Sequence, residues 1–137
     1  MTDNSKNRLH EVFFYGLYMD PDILVNKSIQ LRNPRIACAE NFELKIGNKA
    51  TLLRSPGKTA HGIVYSLTHE EINSLYWGSG LNEYAAEVIM IKIKDDYSPA
   101  LTCNLIDPPK NNESNPEYKQ KLKEAMKNLG VSTESIE

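Results

Sequence analysis

The sequence predicts an α+β domain in which strands outnumber helices, and three observations carry that prediction. Aromatic and β-branched runs alternate at period two, as in Phe42, Leu44 and Ile46 or Ile89, Ile91 and Ile93. Helical periodicity is confined to short segments until the last, where Tyr118, Leu122, Ala125, Met126 and Leu129 share one side. Glycine, proline and asparagine mark the boundaries between the two kinds of pattern.

Leu9 to Tyr15 has the aromatic content of a strand and stops at Gly16. Asp20-Pro21 then reads as an N-cap followed by proline at the first helical position, predicting a short helix over Pro21 to Val25. "RIACAENFELKIGN" is one extended strand ending in a turn at Gly47-Asn48, and "ATLLR", "SPGKT" and "AHGIVYSL" read as strand, turn and strand of a hairpin. Thr68 and Glu71 form a capping box for a helix whose apolar face is Ile72, Leu75 and Tyr76 and whose stop is Gly78. "EYAAEVIMIKIK" and "ALTCNLI" alternate and are expected to pair. Asn115, Pro116 and Gly130 cap, open and stop the final helix, and the Pro/Asn run before it is a tether.

At 137 residues the chain is expected to be a single domain over 1–137, with residues 1–10 a flexible lead. The net charge of −2, with lysines scattered, leaves no electrostatic footprint for a phosphate backbone, so nucleic acid is not an expected partner. No apolar run approaches the roughly 18 residues of a membrane span, and "MTDNSKNRLHE" lacks the apolar core of a signal peptide. No membrane association and a cytoplasmic location follow as expectations. Cys38 and Cys103 each sit in an apolar, strand-like run and read as small buried hydrophobes.

Most sites with a sequence signature are absent. Gly57-Lys58-Thr59 has the tail of a phosphate loop, but Leu52 stands where its first glycine belongs. His10, His61 and His69 lack metal-ligand spacing, so no metal and no cofactor is expected. In "WGSGL" the glycines flank Ser79 directly, unlike a nucleophile elbow. What stands out is "FFYGLYMDPDIL": a strand ending in Tyr-Gly that breaks into a capped helix presents several backbone N–H groups in a row, which suits a small anion.

That segment resembles the Tyr-Gly-Ser-Asn-Leu opening of the γ-glutamylcyclotransferase family. The likeness continues through "LRNPRIACAENFELKIGN", "ATLLRSPG", "HGIVYSLTHEEINSL" and the proline-tyrosine-led tail "SNPEYKQKLKEAMKNLGVSTESI", spanning nearly all of Phe13 to Ile136. The resemblance implies a γ-glutamylcyclotransferase-like small mixed β-barrel with short helices packed outside and a C-terminal helix. It also implies a pocket beside the Tyr-Gly loop for a small molecule of amino-acid or γ-glutamyl character. Family chemistry turns a substrate's α-amine onto its own γ-carbonyl, releasing 5-oxoproline and an amine. Paired subunits occur in the family, so a homodimer is a further expectation.

The family's catalytic glutamate follows the Asn-Ser-Leu stretch in a Leu-Asp-x-x-Glu-Gly sequence, whereas this chain reads "LYWGSG": Tyr76 replaces the aspartate and Ser79 the glutamate. A serine without an adjacent base cannot do that proton work. Leu17 and Tyr18 replace the loop's serine and asparagine, making the pocket more apolar and aromatic. Tyr15, Gly16, Leu17, Tyr18, Met19 and Tyr84, which matches a family tyrosine at the next strand's start, are the expected substrate-binding residues. Glu83, four residues past Ser79, is the candidate replacement base. Two readings follow: a pocket protein whose family catalysis is lost or altered, or an active cyclotransferase that uses Glu83.

Overall fold

The structure is a computed structural model and describes residues 4–136. Its elements run β1 (His10–Phe14), α1 (Pro21–Asn26), β2 (Arg35–Ile46), β3 (Ala50–Leu67), α2 (His69–Leu75), β4 (Tyr84–Ile93), β5 (Asp96–Leu105) and α3 (Pro116–Leu129). Single 3-10 turns lie at Leu17–Met19, Trp77–Ser79 and Glu134–Ile136. The strands close into a barrel in the order β1-β3-β2-β4-β5. β1 lies antiparallel to β3 and parallel to β5, with Val12 opposite Leu101, so the barrel is mixed. Among the described residues no helix is long and apolar enough to cross a membrane.

Period-two alternation along β1 divides the core. Phe13 and Tyr15 pack with Ala37, Ala39, Ala60 and Ala100 in a cluster drawn from the strands. Those small residues let the walls of a narrow five-stranded barrel approach one another. Val12 and Phe14 belong to the other cluster, which joins strands to helices through Leu24, Leu75, Leu122 and Met126. β1 is therefore buried on both faces, and its C-terminal end is anchored where the Tyr-Gly loop begins.

The caps form as their residues dictate. The Asp20 side chain accepts from the Asp22 N–H ahead of Pro21, Asn115 accepts from the Tyr118 N–H ahead of Pro116, and Gly130 ends α3 at φ 74°. The expected hairpin at "SPGKT" does not form. β2 pairs with β3 along its own whole length, Glu40 opposite Thr59 and Phe42 opposite Arg54, so Ser55 to Lys58 bulge outward around the single residue Asn41. Asn41 takes φ 66° and its side chain accepts from the Gly57 N–H. Turn chemistry is present at Pro56-Gly57, but it makes an excursion within one long strand, which bends to follow the barrel.

Glu71 ties α2 to the segment after α1. Besides closing the capping box with Thr68, its carboxylate accepts from Arg32 Nη1 at 2.6 Å and from the Gln30 N–H at 3.0 Å. Burial alone would raise this carboxyl, but the hydrogen bonds from Arg32, Thr68 and Gln30 outweigh it and hold it below its ordinary value of 4.5. The folded state therefore keeps Glu71 ionised where the unfolded chain would protonate it. Its contribution is complete above about pH 4.5 and is lost as pH falls through the lowered folded value. Glu71→Gln is expected to cost about 1–3 kcal/mol near neutrality, and urea denaturation should show the gap from the native protein closing in acid.

Candidate functional site

At the open end of the barrel the Tyr-Gly loop, the turn after β2 and the start of β4 surround a cavity of about 290 Å³. Five tyrosines line it: Tyr15, Tyr18, Tyr76, Tyr84 and Tyr118. Tyr18 meets Tyr76 edge-to-face, centroids 5.4 Å apart at 80°, and Tyr84 lies tilted at 58° against Tyr76, also 5.4 Å away. Leu17, Ile23 and Leu81 add apolar surface, and Lys49 is the one charged side chain among the described lining residues.

Three of the five tyrosine hydroxyls donate to backbone carbonyls. Tyr15 Oη donates to the Cys103 carbonyl at 2.5 Å, Tyr18 Oη to the Leu75 carbonyl at 2.8 Å, and Tyr84 Oη to the Ala50 carbonyl at 2.7 Å. Burial is the largest cause of an upward shift in all five, and Tyr15 and Tyr76 are raised well above the ordinary phenol value. These phenols stay protonated near neutral pH and present rings rather than bases to the cavity. Behind them, burial pushes the Cys103 thiol up to about 12, against a smaller lowering by Tyr76. That leaves a packing residue and no nucleophile.

The loop itself is less open than its sequence suggests. Gly16 adopts φ −115°, which any residue tolerates, so conformation does not require the glycine. Contact does: a Cβ there would lie 2.4 Å from the Tyr118 hydroxyl, which reaches in from α3. That hydroxyl accepts from the Leu17 N–H at 3.1 Å, while the Met19 and Asp20 N–H groups donate to Gly16 and Leu17 carbonyls within the 3-10 turn. Three of the amides expected to face an anion are thus spent inside the protein.

Tyr15, Gly16, Leu17, Tyr18 and Tyr84 lie together around the cavity. Met19 does not join them; its side chain is fully buried in the core and its carbonyl accepts from Tyr65 Oη. Ser79 is exposed in the 3-10 turn after α2, its hydroxyl donating to the Ser74 carbonyl, and it is not among the lining residues. Glu83 stands outside as well. Lys49 Nζ reaches its carboxylate at 2.9 Å, and that hydrogen bond is the leading cause holding the exposed carboxyl below its ordinary value. Trp77 turns its indole N–H to the Tyr84 carbonyl, buttressing β4 without entering the cavity.

Lys49 and Tyr118 are among the lining residues outside the set chosen from the sequence. Gly47-Asn48 announced a turn, but its seating depends on Glu113 of the tether, which accepts from the Asn48 and Lys110 N–H groups. Tyr118 was visible as part of the apolar side of α3 and of the proline-tyrosine-led tail, but its partner Leu17 is 101 residues away.

No family model matches the chain. It is 26% identical to AIG2-like protein B of Arabidopsis thaliana over 100 residues, 70% of this chain but only 58% of that protein, less than two thirds of its length. It is 27% identical over 143 residues to the gamma-glutamylcyclotransferase of Homo sapiens, covering 90% of this chain and 75% of that one. A solved structure titled gamma-glutamyl cyclotransferase superposes with a TM-score of 0.77 over 93% of this chain and 84% of the other, at 20% identity, which shows the shared fold. In sequence and in fold the chain is similar to gamma-glutamylcyclotransferase and AIG2-like proteins. On that shared fold this chain brings tyrosines and one lysine to the mouth of the barrel, and no carboxylate is among the described residues lining its cavity.

Proposed function

We propose that this protein binds a small molecule of γ-glutamyl or amino-acid character in the tyrosine-lined cavity, with the cyclotransferase chemistry of the family lost. The observation that carries this reading is the absence of a carboxylate from the described lining residues. Cyclisation needs the substrate's ammonium deprotonated before it can attack, and a group of suitable basicity must stand within hydrogen-bond reach. The phenols are held protonated by burial, Lys49 is a cation, and Ser79 lies outside the lining. Glu83 as a substitute base is the rival reading. Against it, its carboxylate is exposed, paired with Lys49 and made less basic by that pairing.

The test is 5-oxoproline release from a panel of γ-glutamyl peptides and amines, with calorimetric binding in parallel, for the native protein, Ser79→Glu and Glu83→Gln. Binding without release is expected from the native protein and from Glu83→Gln. Turnover gained by Ser79→Glu would support the reading, because the pocket would then lack only a base. Turnover by the native protein that Glu83→Gln abolishes would overturn it.

A further inference from the structure

We propose that Lys49 is the anion-recognition residue of this pocket: the ligand is a carboxylate with an apolar body, and its carboxylate takes Lys49 Nζ away from Glu83. The inference rests on the binding reading above and names the chemistry of the occupant.

Charge is the first argument. Lys49 is the one ionic side chain among the described residues lining a cavity otherwise walled by rings, aliphatic groups, the Asn48 amide and backbone. An anionic group entering such a space loses hydration, and it is tolerated only where a cation or several donors receive it. The loop's Leu17, Met19 and Asp20 N–H groups are already engaged with Tyr118 and with loop carbonyls, so they offer no such set. The hydroxyls of Tyr15, Tyr18 and Tyr84 are likewise engaged as donors to carbonyls. Tyr118 Oη accepts from the Leu17 N–H and retains its own proton as a donor, but among the described lining residues the lysine alone offers a cation to an entering anion.

Exchangeability is the second. The Lys49–Glu83 pair is a single contact at 2.9 Å between side chains 42% and 54% exposed, a class of ion pair with little net stability to lose. Glu83 itself is not a lining residue, so its release leaves the cavity walls in place. The lysine's backbone is better fixed than its ammonium. Gly47 N–H donates to the Lys49 carbonyl, and Glu113 holds the adjacent Asn48 N–H. A flexible stem on an anchored turn can swing its ammonium from the rim toward an incoming carboxylate. Shape supplies the rest: about 290 Å³ of mainly aromatic cavity accommodates a body about the size of a phenyl or branched alkyl group, with the lysine at its edge.

The test uses 3-phenylpropionate and its uncharged amide, 3-phenylpropionamide, titrated calorimetrically into the full chain. The acid is expected to bind the native protein about tenfold more tightly than the amide. Lys49→Met should erase that preference and Lys49→Arg retain it, with thermal melts confirming that both variants fold. Glu83→Gln, which removes the competitor, should tighten acid binding about two- to fivefold. Equal binding of acid and amide, a preference that survives Lys49→Met, or no binding of either probe would each overturn the inference. Neither probe carries a γ-glutamyl group. Binding of γ-glutamyl peptides that ignores Lys49 would therefore leave the functional reading standing while this inference falls, and acid recognition without γ-glutamyl binding would do the reverse.

Discussion

Gly62→Ala is expected to be among the most destabilising single-methyl additions in this protein, lowering the unfolding free energy by about 3 kcal/mol or more. Gly62 lies on β3 where the end of β1 presses against it, and a Cβ there would stand 2.1 Å from the Phe14 carbonyl oxygen and 3.0 Å from the Phe13 ring. The obstacle is backbone within a paired strand, so no rotamer change relieves it. Either β1 lifts from β3 next to the Phe14–Ile63 pair or the barrel opens at the mouth of the cavity. Gly57→Ala is the control: it has open space but sits at φ 85°, so about 1 kcal/mol of backbone strain is expected there. Urea denaturation should show a much lower midpoint for Gly62→Ala with little change in slope. Equal costs at the two sites would mean that the close approach of β1 to β3 does not hold the loop in place.

The contrast between those two glycines marks what was legible in the sequence. Elements defined by local chemistry read correctly: Asp20-Pro21, the Thr68/Glu71 box and the Asn115-Pro116 start each satisfy their own helix terminus within three residues. β4 and β5 were equally plain, since alternation is local and the short Lys94-Asp95 connection leaves antiparallel pairing as the natural outcome. β3 was not. Ser55-Pro56-Gly57-Lys58 has the composition of a hairpin turn, and only the unbroken partner strand β2 shows it to be a bulge.

The site divides along the same line. The Tyr-Gly loop was visible because it is a contiguous signal, and Ser79 was visible as a departure from a family pattern. The seating of Lys49 by Glu113 and the capture of the Leu17 N–H by Tyr118 depend on tertiary approach between distant segments, which no local periodicity encodes. Sequence reasoning accordingly looked to the loop amides for anion recognition, the role proposed above for Lys49.

Gly16→Ala tests that capture, because its effect is expected to run through one atom. The added methyl would stand 2.4 Å from Tyr118 Oη but 3.7 Å from the ring carbon bearing it, so the hydroxyl is the whole obstacle. Tyr118 is wedged between α3 and the barrel, where it packs against both core clusters, and cannot swing clear without losing those contacts. Displacing the hydroxyl also strips the Leu17 N–H of its acceptor in a part-buried place. A loss of about 2–3 kcal/mol is expected, together with weaker ligand binding, since Gly16, Leu17 and Tyr118 all line the cavity. Tyr118→Phe alone removes the acceptor without adding bulk and should cost about 1 kcal/mol. The double variant is the decisive one: with Oη gone the methyl meets no obstacle, so the two changes together should cost less than the sum of each alone, by about 1 kcal/mol or more in a thermodynamic cycle. Strict additivity would show that Gly16 is needed for something other than Tyr118, and the Tyr118 hydroxyl could no longer be what requires a glycine in the loop. Sub-additivity would establish that a helix drawn from the far end of the chain sets the requirement for a glycine in the Tyr-Gly loop.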